Sequence, residues 1–121
     1  MTKIATKATA QTPEILFDSR KGELSISGKS YPENVNETYK DLFEAIKTYA
    51  ISPLDKTTVN FNWLYYNTAT SKIIIKLISE LKIIGTTLVV NWTVQEGFDM
   101  MIEKAELIAE ILNTEINIIR T

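Results

Sequence analysis

The apolar positions of this chain switch between two periods. Ile15, Leu16 and Phe17 form a short apolar block within Glu14 to Asp18. After the turn residues Arg20-Lys21-Gly22, Leu24 and Ile26 alternate with Glu23, Ser25 and Ser27 as far as Gly28, the period of a half-buried strand. Together they predict a hairpin. Tyr39, Leu42, Phe43, Ile46 and Tyr49 or Ala50 then recur at helical spacing. Asn34 stands ahead of them as an N-cap with Glu37 three residues on, and Ser52-Pro53 stops the helix. Thr57 to Tyr66 reads as a strand rich in β-branched and aromatic residues. Strict alternation puts Val59, Phe61, Trp63 and Tyr65 on one face and Asn60, Asn62, Leu64 and Tyr66 on the other. Trp63, Tyr65 and Tyr66 read as a recognition surface or as core, and the core is the expectation, since large rings bury most area there.

A second helix starts near Thr68 to Ser71 and carries Ile74, Leu77, Ile78 and Leu81. Ile73 and Ile75 widen its apolar face, which predicts packing on more than one side, and Gly85 ends it. Thr86 to Val94 is a third long strand; its run Leu88-Val89-Val90 predicts a central strand covered on both faces. Beyond the loop Gln95-Glu96-Gly97, a third helix carries Phe98, Met101, Ile102, Ala105, Ile108, Ala109 and Leu112, and Glu115 to Ile119 is a last short strand. The order ββαβαβαβ predicts an α/β fold with a mixed, mostly parallel sheet and helices packed on it. Residues 13–121 form one domain without repeats or linkers. Residues 1–12, rich in Thr, Ala and Lys, are expected to be a disordered tail.

Composition removes several functions. The 121 residues are 45% hydrophobic, enough for a core, and the net charge of -2 leaves no electrostatic footprint for nucleic acid. No segment reads as a basic amphipathic membrane helix or approaches the roughly 20 apolar residues that span a bilayer. The first residues lack the apolar core of a signal peptide, so a cytoplasmic protein without membrane insertion is expected. With neither Cys nor His there is no disulfide, no thiolate and no Ser-His-Asp or Cys-His nucleophile. Four glycines supply neither a GxGxxG nor a P-loop pattern. Glu96, Asp99, Glu103, Glu106 and Glu110 fall at the start of the third helix or opposite its apolar stripe, a solvated face rather than a metal site. The expectation is a protein that is not an enzyme and holds no metal and no cofactor.

The chemistry left over gathers at the junction Asn60-Phe61-Asn62-Trp63-Leu64-Tyr65-Tyr66-Asn67-Thr68-Ala69-Thr70-Ser71-Lys72. A strand runs into a helix there, and Thr68, Thr70 and Ser71 bring three hydroxyls to the helix start. Such residues cap helices. They also stand where exposed backbone N–H groups favour a phosphate, so the residues alone leave a cap and a phosphoacceptor both open. Tyr31-Pro32-Glu33-Asn34 similarly reads as the start of the first helix or as a loop that a partner recognises.

Two segments, Ser30-Tyr31-Pro32-Glu33-Asn34 and Leu64-Tyr65-Tyr66-Asn67-Thr68-Ala69-Thr70-Ser71, resemble the SiaC family of bacterial biofilm-regulating phosphoproteins. The resemblance covers nearly the whole chain, with hairpin, loop, strand, junction and helices in the same order. It implies a fold similar to STAS domains, the class that includes anti-sigma-factor antagonists. It further implies that the Thr following Asn at the junction, here Thr68, is phosphorylated by a dedicated kinase and dephosphorylated by a PP2C-like phosphatase. The unphosphorylated form would bind and activate a diguanylate cyclase and so control cyclic-di-GMP signalling. Asn67, Thr70 and Ser71 would shape the helix start, and Tyr31, Pro32, Glu33 and Asn34 would face a partner or support the junction. Where the family commonly has Ser two residues after the acceptor, this chain has Thr70, followed by Ser71. The rival readings are an anti-anti-sigma factor, whose partner would be an anti-sigma kinase, a small enzyme or ligand carrier with a deep polar pocket, and a structural domain with no switch.

Overall fold

A computed structural model describes residues 2–121. They form nine elements: strands β1 (Lys3–Thr6), β2 (Glu14–Asp18) and β3 (Glu23–Ser30), helix α1 (Val35–Tyr49), strand β4 (Lys56–Tyr66), helix α2 (Thr68–Lys82), strand β5 (Thr87–Val94), helix α3 (Met100–Leu112) and strand β6 (Ile116–Arg120). The expected order is present, with one strand more than the sequence predicts. Lys3–Thr6 pairs antiparallel with β2, inside the segment expected to be a disordered tail. The reason is Ile4, an apolar anchor half-buried against the core, helped by the Thr2 N–H donating to Ser19 Oγ at 2.8 Å. Met1, the first residue of that predicted tail, lies outside the described residues.

The six strands form one sheet in the order β1-β2-β3-β4-β5-β6. β1, β2 and β3 pair antiparallel; β3 to β6 pair parallel. Because the order never reverses, right-handed crossovers bring every helix to the same face. That face holds the core: Phe17, Leu24, Ile26, Val59, Phe61, Trp63, Val90 and Trp92 from the strands, covered by Tyr39, Leu42, Leu77, Ile78, Leu81, Met101 and Ala105 from the helices. The other face is open and polar. Asn117 Nδ2 donates to Asn91 Oδ1 at 3.1 Å and Asn91 Nδ2 to Asn60 Oδ1 at 2.9 Å, a chain of amides across three strands. The covering of β5 on both faces expected from Leu88-Val89-Val90 is therefore absent: β5 lies inside the sheet, but only one of its faces meets helices, and Leu88 and Val89 stay half-exposed. Helix α2 sits between α1 and α3, as its broad apolar face predicts.

Strict alternation fails at one place in β4. Gly28 of β3 pairs with Trp63, but the next residue, Lys29, pairs with Tyr65, so Leu64 is an extra residue in the parallel ladder. A bulge of one residue reverses which side chains point inward beyond it. Tyr65, expected in the core beside Trp63, is 45% exposed, and Tyr66, expected on the opposite face, is buried at 4%. Gly28 adopts φ 112 across from the bulge, a conformation open to glycine and costly for other residues.

Candidate functional site

The bulge delivers Tyr66 into the core and ends the strand one residue before α2 begins. Asn67 is the N-cap, in extended conformation, with its side-chain oxygen accepting the Thr70 N–H at 2.9 Å. Thr68 is thus the first residue of the helix and does not cap it, which separates the two roles left open at this junction. Its side chain is exposed, and among the described residues no hydrogen bond engages its hydroxyl. Its carbonyl accepts the Ser71 hydroxyl at 2.6 Å, closing the first turn.

The three hydroxyls are not equivalent. Thr70 is fully buried. Its hydroxyl donates to the Ser30 carbonyl at 3.1 Å and lies 2.8 Å from Ser30 Oγ, which in turn lies 2.6 Å from the Tyr39 hydroxyl. One proton per hydroxyl dictates the direction: since Thr70 gives its proton to the carbonyl, Ser30 donates to Thr70 and Tyr39 donates to Ser30. The Ser30 carbonyl also accepts the Asn67 N–H at 3.0 Å. Strand β3, helix α1 and the start of α2 are thereby locked in one buried network. Burial pushes the Tyr39 phenol up to about 12. Thr70 is in no position to meet another protein; Ser71 is half-exposed with its hydroxyl turned to the helix backbone.

The Tyr31–Asn34 loop lies against this junction. Tyr31 is exposed and packs edge-on against Tyr65, with centroids 5.9 Å apart. Pro32 is half-buried, and Glu33 is exposed. Asn34 is the N-cap of α1, accepting the Glu37 N–H at 3.1 Å, so the helix-start reading of this residue holds. Ser30, just before the loop, is the hub of the buried network; its signal in the sequence is only its place ahead of Tyr31.

Beside Thr68 a groove of about 360 Å³ runs between α2 and α3, lined by residues that include Tyr65, Ile75, Lys104, Leu107 and Ile111. Leu107 and Ile111 are each 56% exposed. They stand one helical turn apart, off the α3 stripe of Met101, Ala105 and Ile108 that faces the sheet. This second stripe lies outside the apolar positions expected for the helix; its visible signal in the sequence is an i, i+4 apolar pair beside a complete core stripe. Glu103, Glu106 and Glu110 are solvated, as expected. Among the described residues no cluster of His, Cys, Asp or Glu is arranged to hold a metal, and no helix is long and apolar enough to cross a membrane.

The chain matches no curated protein in sequence. Apo-SiaC from Pseudomonas aeruginosa superposes with a TM-score of 0.85 at 23% identity, covering 98% of this chain and 99% of that one. A second SiaC structure from the same organism gives 0.89 at 23% identity, covering 100% of both chains. The crystal structure of the P. aeruginosa diguanylate cyclase SiaD in complex with its activator SiaC gives 0.84 at 24% identity, covering 98% of this chain and 99% of that one. At such identities these likenesses show the fold. The family model described as SiaC family regulatory phosphoprotein matches residues 6–121, which is nearly the whole chain, and the chain therefore belongs to the SiaC family of regulatory phosphoproteins.

Proposed function

We propose that this protein is a non-enzymatic switch whose state is set by phosphorylation of Thr68. The observation that carries the reading is the division of labour at the junction: Asn67 caps α2, Thr70 locks it to β3, and Thr68 between them is exposed with an uncommitted hydroxyl. A phosphoryl group there disturbs neither cap nor core. It joins the N-terminal end of a helix, whose unpaired N–H groups and dipole favour negative charge. It also places nearly two negative charges at the mouth of an apolar groove, so a partner's affinity changes without refolding.

The groove suits a protein partner better than a small substrate. It is open, its walls are Tyr65, Leu107 and Ile111, and the exposed Tyr31 extends the surface from the other side of Tyr65. The partner in this reading is a diguanylate cyclase, activated by the unphosphorylated form, with a protein kinase that modifies Thr68 and a PP2C-like phosphatase that restores it. Family membership and the SiaD complex of the P. aeruginosa relative support that choice. In the test, the cognate kinase and ATP add one phosphate, phosphopeptide mass spectrometry finds it on Thr68, and Thr68→Ala abolishes it. Label on Ser71 or elsewhere with Thr68 bare sinks the proposal. Cyclase captured by the wild type and by Thr68→Ala, but lost on phosphorylation, supports the direction of the switch.

A further inference from the structure

The groove beside Thr68 has a single charged wall. Of the described residues lining it, only Lys104 is ionised; the rest are aromatic, aliphatic, hydroxyl or amide side chains. Lys104 comes from α3 and lies against the junction: its ammonium rests over the Tyr66 ring, 5.0 Å from the centroid, two residues before Thr68 in the chain. The Tyr66 ring is buried, but Lys104 is half-exposed at the groove, so its ammonium stays in reach of solvent and of competing acceptors. A phosphomonoester offers three acceptor oxygens and charge-assisted hydrogen bonds, which hold an ammonium more firmly than the ring does.

We propose that Lys104 is an internal clasp for the modified Thr68: the phosphate draws its ammonium off Tyr66 and across the mouth of the groove. The proposal rests on Thr68 being the modified residue, and it says how modification becomes a closed surface. Bare, the groove offers apolar walls and one positive charge, which suits a partner segment with apolar side chains and an acidic one. Phosphorylated, it sums the Lys104 charge with about -1.5 to -2 from the phosphate, so its net charge changes sign. An acidic partner then loses its counter-charge and meets repulsion, while α3 and α2 become bridged across the entrance. Nothing in the core has to move.

Lys72 is the competing cation. It stands four residues after Thr68 on α2, the spacing at which side chains on a helix meet, and it is exposed. The test separates the two. Phosphothreonine is incorporated at position 68 during synthesis, so occupancy does not depend on any kinase, and the phosphate is titrated by phosphorus NMR. In the wild type its second pKa falls below the value of about 6 of a free phosphomonoester. Lys104→Met raises it by about half a unit or more, Lys104→Arg keeps it low, and Lys72→Met leaves it in place. In parallel, the Lys104 side-chain methylene protons, shielded over the Tyr66 ring in the bare protein, move downfield on phosphorylation. The same titration in wild type and Lys104→Met, or a depression lost in Lys72→Met and kept in Lys104→Met, overturns the clasp. Kinase label on a residue other than Thr68 would overturn the functional reading instead, with the titration result unaffected.

Discussion

Thr68 and Asn67 are neighbours with opposite obligations. Asn67 accepts the backbone N–H of Thr70 at the helix start, whereas the Thr68 side chain is exposed. Asn67→Ala is expected to cost about 1 kcal/mol of stability, the usual loss of an N-cap, while Thr68→Ala stays within about 0.5 kcal/mol of wild type; urea melts decide both. Beneath them, Tyr39 makes the network sensitive to alkali. Its phenol rises from 10.0 to about 12 because burial disfavours the charged form, so the folded state keeps a proton that the unfolded chain has released. Stability is therefore whole below about pH 10 and falls as pH climbs from about 10 towards 12. Burial pushes Tyr66 upward as well, adding to the fall in the same direction. The urea midpoint should drop between pH 9 and pH 11 in wild type and drop less in Tyr39→Phe. That variant starts lower at pH 8, because Ser30 Oγ has lost its donor.

Among the elements, α3 carries two apolar faces in different surroundings. Ile108 faces the core and is buried, so Ile108→Ala is expected to cost about 2–5 kcal/mol. Leu107 and Ile111 face solvent at the groove, and replacing both by Glu should change the melting curve by no more than about 0.5 kcal/mol. If the proposed cyclase partner docks in this groove, the same double variant weakens its capture at least about tenfold, roughly 1.4 kcal/mol. Binding equal to wild type would remove this groove from the interface. Strand β4 shows why the aromatic triplet was only half legible. Period-two reading assigns Tyr65 and Tyr66 from Trp63 onward, and it is right until the ladder takes in Leu64 as a bulge. The cause lies in pairing with β3, where Gly28 provides the backbone freedom; nothing within β4 itself announces it.

At the scale of the whole molecule, the helices stack on one side of the sheet and leave an amide-bearing face on the other. The switch proposed at the tip of α2 would therefore act on a rigid body. The site lies at one end of a single core, and its changes stay at the surface. The N-terminal strand adds an edge at small cost or gain: Ile4 is its one residue packed against the core. Deleting residues 2–8 should remove about 1 kcal/mol, in line with half-burying one isoleucine, and lower the melting temperature by a few degrees without loss of Thr68 phosphorylation. A collapse of folding would show that β1 does more than cover the edge of β2.

What the sequence determined by itself is what depends on neighbours in the chain. The hairpin, the three helices, the Asn34 cap and the hydroxyl-rich start of α2 follow from periodicity and from side chains bonding to backbone within a turn. Which hydroxyl stays free, which tyrosine faces outward, and which lysine stands over the junction were decided only in three dimensions. Thr70 is withdrawn by Ser30, forty positions away in the chain. Tyr65 is turned out by a bulge against β3, and Lys104 is brought to Tyr66 by the packing of α3. The physical reason is the same in each case: these outcomes depend on strand register and on the side of the sheet each crossover takes, and both are properties of pairs of segments rather than of any one segment.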